Sequence, residues 1–254
     1  STSMMTMMTI EAQMDPTVMV GSNLPAIGGT LRIGGKGCFV AESCEYTNSF
    51  LRFAPTVSVI LNVEEDHLDF FKDINDIIHS FHEFAELTPM NGLVVVNHDD
   101  PNAMRAVAHI DRRIRTFGTT SDADVYPTEV RDENGYYRFT VNIDGKEYAK
   151  VALSVPGRHN MLNALACCAA AEFLGVPGEA AEKGLNKFTG SSRRFQLVGK
   201  MPNGATVVDD YAHHPSEMKA TLSTAKEMHF DRILCAFQPH TYTRTKALFD
   251  DFVK

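Results

Sequence analysis

The residues with the most chemistry in them fall at four places, each just past an apolar run or at the start of a helical one. In residues 57–69, VSVILNVEEDHLD, aliphatic side chains give way at Asn62 to Glu65, Asp66, His67 and Asp69. In residues 37–43, GCFVAES, a shorter apolar run ends at Glu42, with Glu45 close behind. Carboxylates with one imidazole and no thiolate are hard donors that suit magnesium better than zinc, and magnesium usually accompanies a polyphosphate. The plain alternative is a pair of acidic loops kept wet by their charge.

The third place is the start of RHNMLNALACCAAAEFL, residues 158–174. Asn160 and Asn163 are three apart and share a helix face beside His159, and their amides can donate and accept toward a purine edge. Ordinary N-capping by Asn160 is the alternative. Downstream, Arg193 and Arg194 offer planar guanidinium groups that could clamp phosphates or carboxylates, or could simply be solvated. The fourth place is double: VDDYAHHP at 208–215 and QPHTYTR at 238–244 each follow an apolar run. Together they supply Asp210, Tyr211, His213, His240 and Arg244, a set apt for a small carboxylate. Polar loops without function also occur in such positions.

These residues need a frame. The runs at 37–43, 57–62 and 92–97 (GLVVVN) read as strands of a sheet covered on both faces, and ligands gather beyond the carboxyl ends of such strands. The first two are expected to be neighbours, bringing Glu42 and the Asp66-His67 pair to one rim. Residues 73–87 form an amphipathic helix with Ile74, Ile77, Ile78, Phe81, Phe84 and Ala85 on one stripe, and residues 101–108 start a second helix at Pro101. From 124 to 155 the period changes to two, with YYRFTVNID and EYAKVALSV joined through Asp144-Gly145, a strong hairpin signal. An Ala-rich helix over 158–174 closes at Gly175, and another spans 178–188. The fold class is therefore α/β: a central, mostly parallel sheet with helices on both faces and an antiparallel hairpin.

After TGSS at 189–192 the alternation restarts, with strands expected at 194–198, 205–209 and 233–237 and helices at 214–228 and 241–254. The domain division is placed there, giving units 1–192 and 193–254. The second holds only about one and a half strand-helix-strand units and reads as truncated, as does the first, whose opening helix STSMMTMMTIEAQ has no cap before it. The glycines at 28, 29, 34 and 35 lack the spacing and Lys-Ser/Thr of a phosphate loop.

Composition narrows the function classes. A chain of 254 residues with 44% hydrophobic residues buries a sizeable core. A net charge of −8 without a basic block disfavours nucleic acid. No apolar run reaches the roughly 18 residues of a membrane span, so membrane insertion is not expected and a cytoplasmic location is. The five cysteines never take a Cys-x-x-Cys spacing, and Cys44 lies between Glu42 and Glu45, which would raise its thiol pKa and spoil it as a nucleophile.

Taken together, AESCEYTNSF, NVEEDHLDFF, PGRHNMLNALA, GSSRRF, VVDDYAHHPSE and FQPHTYTRT resemble, in order, the signatures of the Mur ligases, ATP-dependent amino acid ligases of bacterial cell-wall precursor synthesis. The resemblance covers essentially the whole chain, and the last two segments are its most specific. It implies a central ATPase domain followed by the start of a Rossmann-like domain that brings the amino acid. The phosphate loop of the family would directly precede Ser1, so its lysine cannot be named here. It implies ATP, UDP-N-acetylmuramic acid and L-alanine as substrates, Mg2+ as cofactor, and a homodimer as one assembly open to it. By this resemblance Glu42 and His67 are catalytic and hold magnesium ions, His159, Asn160, Asn163, Arg194 and Asp210 contact ATP, and Tyr211, His213, His240 and Arg244 surround the amino acid. A ligase for another amino acid or peptide, or a non-catalytic nucleotide- or metal-binding module, stay open beside it.

Overall fold

The frame is built around the run LVVVN. In the computed structural model, which describes residues 1–254, its five residues are all buried and form the second strand of a six-stranded sheet. The elements run α1 (Thr2–Glu11), β1 (Thr17–Leu24), β2 (Gly29–Arg32), β3 (Phe39–Ala41), β4 (Val57–Ile60), α2 (Ile74–Glu86), β5 (Leu93–Asn97), α3 (Pro101–Ala106), β6 (Ile114–Phe117), β7 (Val125–Glu133), β8 (Tyr136–Ile143) and β9 (Lys146–Ala152). Helices α4 (Arg158–Phe173) and α5 (Gly178–Lys187) follow, then β10 (Gln196–Lys200), β11 (Thr206–Asp209), α6 (Pro215–Glu227), α7 (Tyr242–Ala247) and α8 (Phe249–Val253).

The large sheet has the order β4-β5-β6-β7-β8-β9. Its first four strands are parallel and its last three antiparallel, so the antiparallel part exceeds the expected hairpin by one strand. The turn between β8 and β9 falls on Asp144 and Gly145, both with positive φ (51° and 76°), as a tight turn matching strand twist requires. Both faces are covered. On one, α1, α4 and α5 bury Met4, Met8, Leu165 and Leu185 against Leu93, Val95 and Val141. On the other, α2 and α3 pack Ile77, Phe84 and Ala103 against Val94, Val96 and Ile60, with Phe50 stacked on Phe84. Burying an aliphatic or aromatic side chain of this size contributes about 1.5–3 kcal/mol, so each layer is held by several such terms. The helix starts are fixed by Asp73, which accepts from the N–H groups of Asn75 and Asp76, and by Asp100, which accepts from Ala103.

Three expectations are corrected. β3 is not a neighbour of β4: it pairs in parallel with β1 in a separate three-stranded sheet of order β2-β1-β3. Periodicity marks a strand but not its partner, and β1 supplies the nearer one. No strand forms over 233–237: Ile233, Leu234 and Phe237 are exposed, and the small antiparallel sheet ends at β10 and β11 without this run on either edge. The helix expected over 241–254 is broken at Leu248 into α7 and α8. No helix is long and apolar enough to cross a membrane.

Candidate functional site

Two cavities open where these elements meet. The larger, about 1640 Å³, lies between the ends of β3 and β4, the first turns of α4, and the segment around β11 and α6. It gathers Glu42, His159, Asn160, Asn163, Arg194 and Asp210, and Tyr211 lies on its wall. The smaller, about 320 Å³, lies between the loop after β4 and the first turn of α7, with His67, Asp66, Tyr46, His240 and Arg244 around it. His213 stands between the two: its ring meets Tyr211 edge-on at 5.2 Å and His240 at 6.2 Å.

In the larger cavity each predicted residue is held by a neighbour. Glu42 Oε2 accepts from the Gly21 N–H at 3.1 Å, an approach that depends on Gly21, since a Cβ there would collide with the carboxylate. Helix α4 begins at Gly157 (φ 99°), where a side chain would strike the His159 ring and Thr224 Oγ1. Asn160 is therefore not the cap: its Nδ2 donates to Pro156 O at 2.7 Å, which turns the amide along the cavity wall, and Asn163 Nδ2 approaches its Oδ1 at 3.5 Å. Removal from bulk water within the cleft pushes the His159 imidazole below its ordinary pKa, opposed by Asp210 and reinforced by Arg194, so its neutral form is favoured near pH 7. Asp210 accepts from Phe195 N at 2.9 Å, Ala212 N at 2.8 Å and Thr221 Oγ1 at 3.1 Å, a set that fixes the loop after β11. Arg194 is steadied by Glu217 at 3.3 Å, while Arg193 lies over the Tyr211 ring and pairs with Asp209, so the two arginines separate in role.

The smaller cavity is denser in charge. His67 stacks on Tyr46 with centroids 4.4 Å apart, and its Nε2 lies 3.3 Å from Glu45 Oε1. Tyr46 OH donates to Asp69 at 2.8 Å. Asp66 takes Arg244 through Nε at 2.9 Å and Nη2 at 3.3 Å, a bidentate pair. Burial pushes the Asp66 carboxyl up, but its hydrogen bonds from Arg244 and the His67 N–H outweigh that, and the net shift is downward.

Glu42 and His67 thus belong to different cavities, which corrects the expectation that they face each other across neighbouring strand ends. Nowhere do three or more His, Cys, Asp or Glu side chains converge to hold a metal ion. The donor chemistry at Glu42 nonetheless fits magnesium, which keeps several waters and is bound through one or two carboxylates together with substrate phosphates. The Cys44 thiol is pushed up by burial and by Glu45 and Glu42, in keeping with its unsuitability as a nucleophile. Sequence reasoning named Glu45 only as a neighbour of Glu42, and missed Tyr46, Ser216 and Glu217. Only Glu217 had a local signal, lying three residues after His214 in a capping box that the structure closes at the start of α6.

Residues 23–171 match the family profile described as Mur ligase middle domain, and residues 193–254 that described as Mur ligase, glutamate ligase domain. The chain belongs to the Mur ligase family. The UDP-N-acetylmuramate–L-alanine ligase of Agathobacter rectalis is 48% identical over 253 residues, covering 99% of this chain and 55% of that protein. The same-named ligase of Clostridium novyi is 46% identical over 252 residues, with 99% and 55% covered. The crystal structure of a UDP-N-acetylmuramate–alanine ligase from Thermotoga maritima superposes with a TM-score of 0.80 at 30% identity, covering 97% of this chain and 56% of that one. This Mur ligase chain therefore spans about half the length of the curated relatives it matches. Around its walls, the larger cavity offers the two carboxylates of Glu42 and Asp210, two amides and a guanidinium, a set able to hold an elongated polyphosphate nucleotide. The smaller one offers two imidazoles and an arginine to a small carboxylate.

Proposed function

We propose that the chain is part of an enzyme that joins L-alanine to the carboxylate of UDP-N-acetylmuramic acid at the expense of ATP. The single observation that carries this reading is the gathering of Glu42, His159, Asn160, Asn163, Arg194 and Asp210 around one cleft, with the pocket of His67, His240 and Arg244 beside it. The names and identities of the relatives support the choice of substrates. In this reading residues 1–192 form the central ATP-binding domain and residues 193–254 begin the domain that brings the amino acid. The enzyme works in the cytoplasm.

The reaction balances in two steps. The muramate carboxylate attacks the γ-phosphorus of ATP, giving an acyl phosphate and ADP. The amine of L-alanine then attacks the acyl carbon, and phosphate and a proton leave as the amide forms. Asn160 and Asn163, with His159, hold the adenine side, while Arg194 and Asp210 reach the phosphates and ribose. Tyr211, His213, His240 and Arg244 orient the amino acid. Magnesium at Glu42, and a second ion at His67, would offset phosphate charge during transfer. No side chain needs to become covalently bound. Walls from both parts of the chain keep water from the acyl phosphate.

The test is ADP release by the ligase at the full length of its relatives, with UDP-N-acetylmuramic acid and each of several amino acids. Release that depends on L-alanine, and falls by at least about ten-fold with glycine or L-serine, is the expected result. Release indifferent to the amino acid, or fastest with another one, sinks the assignment.

A further inference from the structure

The acidic run before His67 faces no common void. Each of its three residues is committed across the chain to an anchor 149 to 178 positions away. Glu64 Oε1 accepts from Ser216 Oγ at 2.8 Å, the Glu65 carbonyl accepts from His214 Nε2 at 2.9 Å, and Asp66 takes the fork of Arg244. Ser216 and His214 start α6, and Arg244 lies in the first turns of α7, so one tripeptide grips both polar loops of residues 193–254. A second contact lies at the far end of α6, where Thr224, Glu227 and Met228 sit against Gly135 and Gly157. Across residues 193–254 only His214, Thr224 and Leu248 are buried, and His214 sits at the grip. The side chains of His214 and Arg244 are 10% and 11% exposed, so these are sheltered bonds rather than loose surface pairs.

The grip also decides what Arg244 has left to offer. Of the five N–H groups of a guanidinium, two are spent on Asp66 and one on the His240 carbonyl at 2.9 Å, leaving one N–H on each terminal nitrogen. We propose that residues 64–66 are a polar clasp that docks residues 193–254 on the main body, and that Asp66 is a positioning residue that presents the two remaining Arg244 N–H groups to the smaller cavity. The docking half stands on contacts alone. The positioning half rests on the ligase reading, in which Arg244 meets the amino acid.

Backbone hydrogen exchange on this chain, followed by mass spectrometry, tests the clasp. Asp66→Asn should speed exchange over residues 242–253 by roughly ten-fold while β5 and α4 keep their protection, since losing a charge-assisted pair frees only what it held. The doubly reversed variant, Asp66→Arg with Arg244→Asp, should recover much of that protection relative to Asp66→Arg alone. Unchanged exchange in Asp66→Asn, or a double reversal no better than the single one, overturns the clasp. Should β5 and α4 also lose protection in Asp66→Asn, Ser216→Ala decides instead: it lies outside the core, and faster exchange at the start of α6 is expected, with unchanged exchange overturning the proposal. For positioning, Asp66→Asn in the full-length ligase should raise KM for the amino acid roughly ten-fold and leave KM for ATP within about two-fold, because the lost orientation touches one substrate. Equal rises in both overturn the positioning role. A wild-type enzyme with no amino-acid-dependent turnover sinks the ligase reading, and the exchange experiment then still decides the clasp.

Discussion

Glu42 shows how much one carboxylate can be asked to do. It reaches the large cleft from the end of a three-residue strand, tethered at a single backbone N–H. Glu42→Ala is expected to lower alanine-dependent ADP release by the full-length ligase roughly 100-fold, because phosphoryl transfer leans on electrostatic stabilisation more than on any other term. Activity near wild type would remove Glu42 from the chemistry. Glu217 makes the opposite case, a residue silent in function-directed reading that organises its surroundings. Burial pushes its carboxyl up, but the N–H groups of His213 and His214 and the charges of His213 and Arg194 outweigh this, so its folded pKa lies below the ordinary 4.5. A depressed carboxylate lends stability that is complete above the unfolded value and disappears as pH falls through the folded one. Glu217→Gln should therefore lower the denaturant midpoint most at neutral pH, and the gap from wild type should close well below pH 4.5. A gap independent of pH would mean the charge is not what matters.

At the level of elements, the α4 start is the most exacting joint. Gly157 holds φ 99° with no room for a Cβ, and the turn it makes aims His159, Asn160 and Asn163 at one wall. Gly157→Ala is expected to cost about 1–3 kcal/mol of stability and to weaken nucleotide binding, measurable by thermal denaturation with and without ATP. A variant as stable as wild type would mean the turn relaxes freely. Elements defined by local chemistry could be read directly: the LVVVN strand, the Asp144-Gly145 turn, the caps Asp73 and Asp100, and the Ala-rich helix. Elements defined by partners could not. Whether β3 lies beside β4 or β1, and whether 233–237 joins a sheet at all, depends on distant segments, and no window of sequence contains that. The site divides the same way. Its residues were found because their types are distinctive. Their split into two cavities, and the support from Glu45, Tyr46 and Ser216, came from contacts between segments far apart in the chain.

The molecule as a whole is uneven. Two apolar layers enclose the six-stranded sheet, whereas every residue from 231 to 240 is exposed. Limited proteolysis should cut first within that exposed stretch and leave the six-stranded body intact, as mass spectrometry of the early products would show. First cuts between β4 and β9 would contradict the division between units at 192 and 193. The two cavities share no lining side chain, although His213 and residues 64–66 run between them. In thermodynamic terms they are separate binding polynomials joined by a thin bridge. A nucleotide in one and an amino acid in the other would raise the melting temperature by independent increments, and any excess over their sum measures the free energy that crosses the bridge.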